Sequence, residues 1–162
     1  MVKNSQQISE IIDSLRRVFQ AVNEYSKKVK AQTGLTGPQL WTIKVVAEFS
    51  SIKVSDLARR MYLHPATVVG IIDRLEAKGL VSRVRSRNDR RVVWVSLTPQ
   101  GEELISQAPE VAQGLLVAGL EALPSEEQRT IGEVLSQLVK ILKAQEFPPK
   151  LMFSHEVNEP QK

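Results

Sequence analysis

The chain has 162 residues, 42% of them apolar, which suffices for one domain with a hydrophobic core or for a small domain with extensions. It contains no cysteine and only two distant histidines, His64 and His155, so we expect neither a bound metal nor a cofactor. The net charge is +4, no apolar run approaches the roughly 20 residues of a membrane span, and the N-terminus lacks a signal-peptide core. These features predict a cytoplasmic protein without a membrane partner.

Apolar residues at three- and four-residue spacings predict a long amphipathic first helix over residues 5–32. These positions include Ile8, Ile11, Ile12, Leu15, Val18, Phe19, Val22 and Val29. We expect Gly34 to end this helix and Thr36 to cap a second helix that carries Pro38 in its first turn. A third, short helix is predicted from Val54 to Met61.

A fourth helix is predicted from Pro65 to Lys78, with its polar and apolar residues on opposite sides. One stripe, expected to be buried, consists of Val68, Ile71, Ile72 and Leu75. The opposite side carries Thr67, Gly70, Arg74 and Lys78, together with the apolar Val69. Such a surface suits a DNA major groove, where methyl groups can contact thymine. The alternative is that Val69 packs beneath a loop.

Two β-type runs follow, separated by an arginine-rich turn at Ser86 to Arg90. Their apolar positions are Val81, Val84, Val93, Val95 and Leu97, although the continuous run from Val92 to Val95 leaves the inward face open. Residues 74–91 have a local net charge of +5, from Arg74, Lys78, Arg83, Arg85, Arg87, Arg90 and Arg91 against Glu76 and Asp89. Because phosphate neutralisation drives nucleic-acid affinity, this charge predicts a nucleic-acid surface. The alternative is a solvated hairpin that happens to be basic.

The remaining sequence predicts two further helices. Thr98 and Pro99 have the N-cap and first-turn pattern of a helix that we expect to continue to about Ala122 with a kink at Pro109. Ser125 and Gln128 have the spacing of a capping box at the start of the last helix. The tail, residues 146–162, is predicted to be flexible.

The order of these elements and two motifs resemble the MarR family of winged helix-turn-helix transcription regulators. The first motif is Ile72-Asp73-Arg74-Leu75-Glu76-Ala77-Lys78-Gly79-Leu80-Val81, and the second is Asp89-x-Arg91 followed by Leu97-Thr98-Pro99-Gln100-Gly101. The resemblance covers roughly Ile8 to Leu142. It implies a mainly α-helical fold with a small β-wing, in a single domain over residues 1–145. Within that domain, a winged helix-turn-helix core over residues 36–98 lies between dimerisation helices at 5–32 and 99–145.

The resemblance further implies a sequence-specific transcription regulator, a repressor, that binds a pseudo-palindromic operator as a homodimer. The apolar stripes agree, because a long amphipathic helix without enough partners in its own chain needs another surface, and two-fold symmetry is the commonest solution.

In the family, the recognition helix, here 65–78, enters the major groove of double-stranded DNA and the wing, here 83–91, enters the minor groove. On this chain, the residues implied near base edges are His64, Pro65, Ala66, Thr67, Val69 and Gly70, while Arg74 holds a phosphate. In the wing the implied DNA-binding residues are Arg85, Arg87, Asp89, Arg90 and Arg91. Asp89 would orient Arg91 through a bidentate pair. The alternative for Asp89 is a turn residue after Asn88.

Some family members bind phenolic or other lipophilic anions in a cleft between the first helices and the DNA-binding core. The corresponding candidates here are Tyr25, Trp41, Lys44, and Arg16 or Arg17, which makes a small-molecule effector a candidate partner. The alternatives are that Trp41 is a core residue and Lys44 a solvated charge.

Enzymatic function is not predicted, because the sequence has no G-x-S-x-G motif, no glycine-rich phosphate loop and no metal-ligand cluster. The alternative function is a winged-helix protein used for non-specific DNA architecture or for protein contacts. The specificity ratio of DNA binding separates that alternative from a sequence-specific regulator.

Overall fold

A computed structural model describes residues 2–151, which form seven helices and a three-stranded antiparallel sheet. The elements, in chain order, are α1 (Val2–Thr33), α2 (Gly37–Ala47), β1 (Ile52–Lys53), α3 (Val54–Arg60), α4 (Pro65–Ala77), β2 (Val81–Arg85), β3 (Val93–Leu97), α5 (Pro99–Ser106), α6 (Ala112–Glu121) and α7 (Ser125–Ile141). The prediction of a mainly α-helical fold with a small β-wing is confirmed.

The junction between α1 and α2 follows the predicted chemistry. Gly34 takes a positive φ of 69°, which a residue without a Cβ adopts at little cost, and its N–H donates to the carbonyl of Lys30. Thr36 and Gln39 form a reciprocal capping box: the Gln39 N–H donates to the Thr36 hydroxyl, and the Thr36 N–H donates to Oε1 of Gln39. These bonds fix where α2 enters the core.

The hydrophobic core lies among α2, α3, α4 and the inner face of the sheet. All four residues of the predicted stripe on α4, Val68, Ile71, Ile72 and Leu75, are fully buried. They pack in one cluster with residues such as Leu40, Ile43, Leu57 and Val95. The burial of this stripe leaves the opposite side of α4 facing outward, as the sequence predicted.

The sheet has the strand order β1-β3-β2, so the predicted two-stranded wing gains a third, two-residue strand. Pairing of Ile52 with Val95 and of Val84 with Trp94 sets the register. Val81 and Val95 face the core, whereas Val84 (63% exposed) and Trp94 (36% exposed) lie on the outer face. The inward face, which the sequence left open, is therefore the one that carries Val95.

Thr98 caps α5 as predicted, since its hydroxyl accepts the N–H of Gly101 at 3.1 Å. A Cβ at Gly101 would clash with the carbonyl oxygen of Leu80, so the packing of α5 against the end of α4 requires glycine. The prediction of one kinked helix is wrong. The chain leaves the helix at Ser106 and resumes at Ala112, because Pro109 lacks the N–H needed to continue the ladder.

The predicted capping box at Ser125 is also wrong. The N-cap is Pro124, and Gln128 instead donates its amide to the carbonyls of Leu120 and Leu123, which ties the α6–α7 turn to α7. Beyond α7, Leu151 packs partly buried against the core. Residues 152–162 of the predicted flexible tail lie outside the described residues, so flexibility there stays a prediction.

The outer parts of α1 and α7 carry most of the exposed apolar surface. In α7 no residue is buried, and Leu135, Ile141 and Leu142 are 53%, 73% and 73% exposed. In α1, Ile8, Ile11, Val18 and Phe19 are all more than half exposed. None of the helices within residues 2–151 is long and apolar enough to cross a membrane.

Candidate nucleic-acid interface

The N-terminus of α4 projects from the core with three exposed residues, His64, Pro65 and Ala66. His64 is the N-cap, and its Nδ1 accepts the backbone N–H of Ala66 at 3.3 Å. The dipole of a helix N-terminus favours a negatively charged partner, although the first N–H groups of α4 are already bonded to His64. The first turn of α4 is therefore suited to approach a phosphate backbone or base edges.

A groove of about 390 Å³ separates α4 from the wing and joins the two predicted halves of the interface. Pro65 and Val69 line its helical side, and Arg85 and Arg91 line its wing side. Val69 is 39% exposed, so it does not pack beneath a loop. The other two charged residues in this lining are Lys53 and Arg83, so every charged residue that lines the groove is basic. The groove thus presents concentrated positive charge to a polyanion.

The tip of the wing is closed by backbone bonds between Ser86 and Val92 and between Val92 and Asp89. Asp89 adopts the alternative role considered above: its Oδ1 accepts the backbone N–H of Arg91 at 2.9 Å. A carboxylate pair with the Arg91 guanidinium is not formed in this structure. Asp89 therefore orients the backbone at Arg91 rather than its side chain.

The remaining predicted contacts are distributed around this groove. Arg87 and Arg90 are exposed at the wing tip, outside the groove lining, whereas Thr67, Gly70 and Arg74 are half-buried along α4. Gly70 has open space around it, so a side chain there would meet no protein atom. The sequence analysis missed Lys53 and Ser55, which reach the groove from β1 and α3. Their positions depend on the pairing of β1 with β3, which no local pattern indicated.

Arg83 departs from its predicted place in the basic surface. Its Nη1 lies 2.6 Å from Oδ1 of Asp73, and its Nε donates to Oε2 of Glu76 at 3.0 Å. Hydrogen bonding to Arg83 lowers the pKa of the Glu76 carboxyl, and the same contact raises the pKa of Arg83. Two carboxylates thus offset the charge of one of the seven basic residues.

A second cavity, of about 450 Å³, lies between α2, the end of α3 and helices α5 and α6. Trp41 and Lys44 line it, as predicted, together with Arg60 and Glu121. Trp41 is only 8% exposed and is part of the core, as the alternative held, and its role in ligand binding stays a prediction. Lys44 is 3.5 Å from Glu110 and is not simply solvated. The other predicted candidates, Arg16, Arg17 and Tyr25, are not among the described residues that line this cavity. Arg16 instead pairs with Asp13 on α1.

One hydrogen bond links this cavity to the turn before α4. The hydroxyl of Tyr62 donates to Oε1 of Glu121 at 2.8 Å, which raises the pKa of Tyr62 above its ordinary value of 10.0. Tyr62 has a positive φ of 52° and lies two residues before the N-cap His64. The bond therefore connects α6 to the start of the recognition helix.

A helix-turn-helix followed by a basic wing defines a DNA-binding protein of the winged-helix class. The family model described as "MarR family" matches residues 35–93. The regulator FarR of Neisseria gonorrhoeae is 33% identical over 110 residues, which cover 68% of this chain and 75% of FarR. The repressor MdtR of Bacillus subtilis is 29% identical over 146 residues, covering 90% and 94%. The chain belongs to the MarR family; it is a DNA-binding transcriptional regulator and not an enzyme.

Solved structures share the fold. A MepR-like protein crystallised with pseudoligands is 26% identical, with a TM-score of 0.54 over 85% of this chain and 94% of that one. Three further structures of the same fold, at 21% to 23% identity and TM-scores of 0.51 to 0.54, contain DNA.

Proposed function

We propose that this protein represses transcription by binding a pseudo-palindromic operator as a homodimer, with the first turns of α4 in the major groove and the wing in an adjacent minor groove. The observation that carries the proposal is the groove between α4 and the wing, because its charged lining is entirely basic. Repression is supported by MdtR, a repressor with 29% identity to this chain.

The proposed groove assignments follow from the shape and charge of each element. The width of the major groove admits a helix, and the exposed side of α4 offers Thr67, Val69 and Gly70 to base edges. The narrow minor groove of DNA attracts arginine through its enhanced negative potential. Arg91, at the base of the wing tip, lines the protein groove between α4 and the wing.

The proposed dimer is supported by the apolar residues that α1, α6 and α7 leave exposed. Exposed apolar stripes of this extent mark an interaction site, and a second copy of the chain supplies matching helices. A two-fold axis would present two α4 helices to successive major grooves, about 34 Å apart for half-sites one helical turn apart.

Selection of binding sites from random DNA tests the proposed function. We expect an inverted repeat, bound at least about a thousand times more tightly than unrelated DNA at physiological salt. A ratio near one would instead support the architectural alternative. Mass measurement of the complex should give two chains for each site.

We further propose that a small lipophilic anion, such as a phenolate, binds in the cavity beside Trp41 and causes the protein to release its operator. Lys44 and Arg60 supply positive charge there, Trp41 supplies an aromatic face, and a MepR-like protein of the same fold binds pseudoligands. Because three carboxylates also line the cavity, the anion would have to replace Glu110 as the partner of Lys44. A ligand that displaces Glu121 would break its bond to Tyr62 and so free the turn that precedes α4.

Fluorescence of a Trp94→Phe variant tests this proposal, because Trp41 is then the remaining tryptophan. A hydroxybenzoate should quench Trp41 and lower operator affinity, while its neutral methyl ester serves as a matched control without the carboxylate. Tyr62→Phe should keep the quenching but reduce the effect of the ligand on DNA. Equal responses to the acid and the ester would contradict an anion site.

A further inference from the structure

Arg83 is held between two carboxylates of the recognition helix. It is the third residue of β2, and its guanidinium contacts Asp73 at 2.6 Å and Glu76 at 3.0 Å. Arg83 forms ion pairs with two carboxylates, whereas the four other wing arginines form no ion pair with any described residue. Arg83 therefore differs in its environment from Arg85, Arg87, Arg90 and Arg91.

The geometry of these contacts ties the wing to one face of α4. Residues three apart on a helix lie on the same face, so Asp73 and Glu76 point toward β2 together. A planar guanidinium with five N–H donors can hold two carboxylates in a fixed direction, which a single ammonium cannot do. The backbone between α4 and β2 is a short turn at Gly79, with a φ of 70°. The Arg83 contacts are thus a side-chain restraint on the angle between α4 and the wing, in addition to the bond from the Thr98 hydroxyl to the Gly79 carbonyl.

We propose that Arg83 is a positioning residue for DNA binding, which holds the wing at the angle where α4 and Arg91 enter adjacent grooves together. Its own charge is used by Asp73 and Glu76 and does not bind a phosphate. This inference rests on the proposed groove assignment.

Removal of the two carboxylates tests the sign of the effect. Asp73→Ala combined with Glu76→Ala removes two negative charges from the DNA-binding side, which by charge alone should strengthen binding. Because the double variant releases Arg83, we expect operator affinity to fall about tenfold, as misplacement of one contact of about 1.4 kcal/mol would predict. Unchanged or tighter binding would overturn the proposal, since Arg83 would then act as a phosphate ligand or as a solvated charge.

Arg83→Lys provides the matched variant that keeps the charge. A phosphate ligand would tolerate this change, whereas a clamp that needs two directed contacts would lose most of its effect. We expect Arg83→Lys to weaken operator binding nearly as much as Arg83→Gln. Circular dichroism and the thermal midpoint establish that each variant is folded. If Arg83→Gln does not fold, Arg83→Lys and the carboxylate double variant carry the test.

A double-mutant cycle shows whether Arg83 acts through the wing. In the Arg83→Gln background, Arg91→Ala should cost much less affinity than in the unmodified protein, while Thr67→Ala on α4 should keep its full cost. Full additivity of Arg83→Gln with Arg91→Ala would overturn the proposal alone. If Arg91→Ala had no effect in the unmodified protein, the proposed wing contact would fail, and this inference with it.

Discussion

The winged-helix module, residues 36–98, and the helical arms, α1 and α7, use their apolar residues in opposite ways. In the module, α4 buries Ile71, Ile72 and Leu75 completely. In the arms, Phe19 is 64% exposed and α7 buries none of its residues. The module therefore contains most of the hydrophobic core, which Val29 of α1 also enters, whereas the exposed parts of the apolar stripes on the arms can be buried only against another surface. The proposed DNA-binding surface is formed by residues of one chain, whereas the spacing between two such surfaces would depend on how two chains assemble.

The largest expected effect comes from charging the arms. We expect Phe19→Glu combined with Leu135→Glu to dissociate the dimer and to lower operator affinity by at least about a hundredfold, because linkage of two half-sites is lost. Light scattering and DNA titration measure the two effects. Val84→Glu is a matched control for light scattering alone, since Val84 is similarly exposed (63%) but lies on the wing, where a carboxylate would itself weaken DNA binding. A dimer that survives the double change would contradict the assignment of the arms.

Two glycines, Gly70 in the module and Gly101 at the start of α5, test how the module packs. Gly101→Ala should destabilise the protein by about 3 kcal/mol, the upper range for overpacking, because the new Cβ meets the Leu80 carbonyl. Gly70→Ala should stabilise it by about 0.5–1 kcal/mol, since its surroundings are open and alanine favours a helix. Urea unfolding at a fixed chain concentration gives both values. Loss of stability in Gly70→Ala would show that this side of α4 is not free.

The sequence predicted the module better than the connections around it. The stripe on α4, the cap at Thr36 and the start of α4 at Pro65 depend on local spacing and local hydrogen bonds, and these predictions are confirmed. The strand β1 was missed because two residues carry no periodicity, and its pairing partner lies more than forty positions away. The break at Pro109 was predicted as a kink, although the proline removes the helical ladder altogether.

The interface was predicted as a set of charges rather than as a geometry. Counting basic residues predicted a DNA-binding surface and included Arg83 in it. The signal that could have found its different role is the pair Asp73 and Glu76, three residues apart and immediately before the strand that carries Arg83. Whether the remaining predicted residues contact DNA stays a prediction, which substitutions at Arg91 and Asp89 test.

Arg91→Ala should lower operator affinity about tenfold, within the range of about 1–3 kcal/mol for one lost groove contact, and should weaken the preference for A·T-rich flanks. The flank preference arises because the narrow groove of such sequences attracts arginine. Arg90→Ala, at the neighbouring exposed position, should reduce binding to all flanks alike. Selected sites from the three proteins provide the comparison, and an unchanged flank profile in Arg91→Ala would place that residue elsewhere.

Asp89 permits a finer separation of charge from turn geometry. Asp89→Ala removes the acceptor for the Arg91 N–H, worth about 1 kcal/mol, and should weaken binding severalfold even though it removes a negative charge. Asp89→Asn keeps an acceptor oxygen at the same position without the charge, so it should bind at least as tightly as the unmodified protein. Tighter binding by both variants would mean that the carboxylate only repels DNA.

The smallest expected effect is a change in the pKa of Glu76, which tests the contact between α4 and the wing without DNA. Hydrogen bonding to Arg83 lowers the pKa of this carboxyl below its ordinary value of 4.5. The contact therefore contributes its full stabilisation above the ordinary value and loses it as the pH falls through the lowered pKa. Carbon NMR of the Glu76 carboxyl measures the titration directly. In Arg83→Gln the pKa should rise back toward the ordinary value, whereas the same substitution at exposed Arg85 should leave it unchanged. Equal Glu76 titrations in the unmodified protein and in Arg83→Gln would show that the clamp does not persist in solution, and the angle between helix and wing would then depend on backbone packing alone.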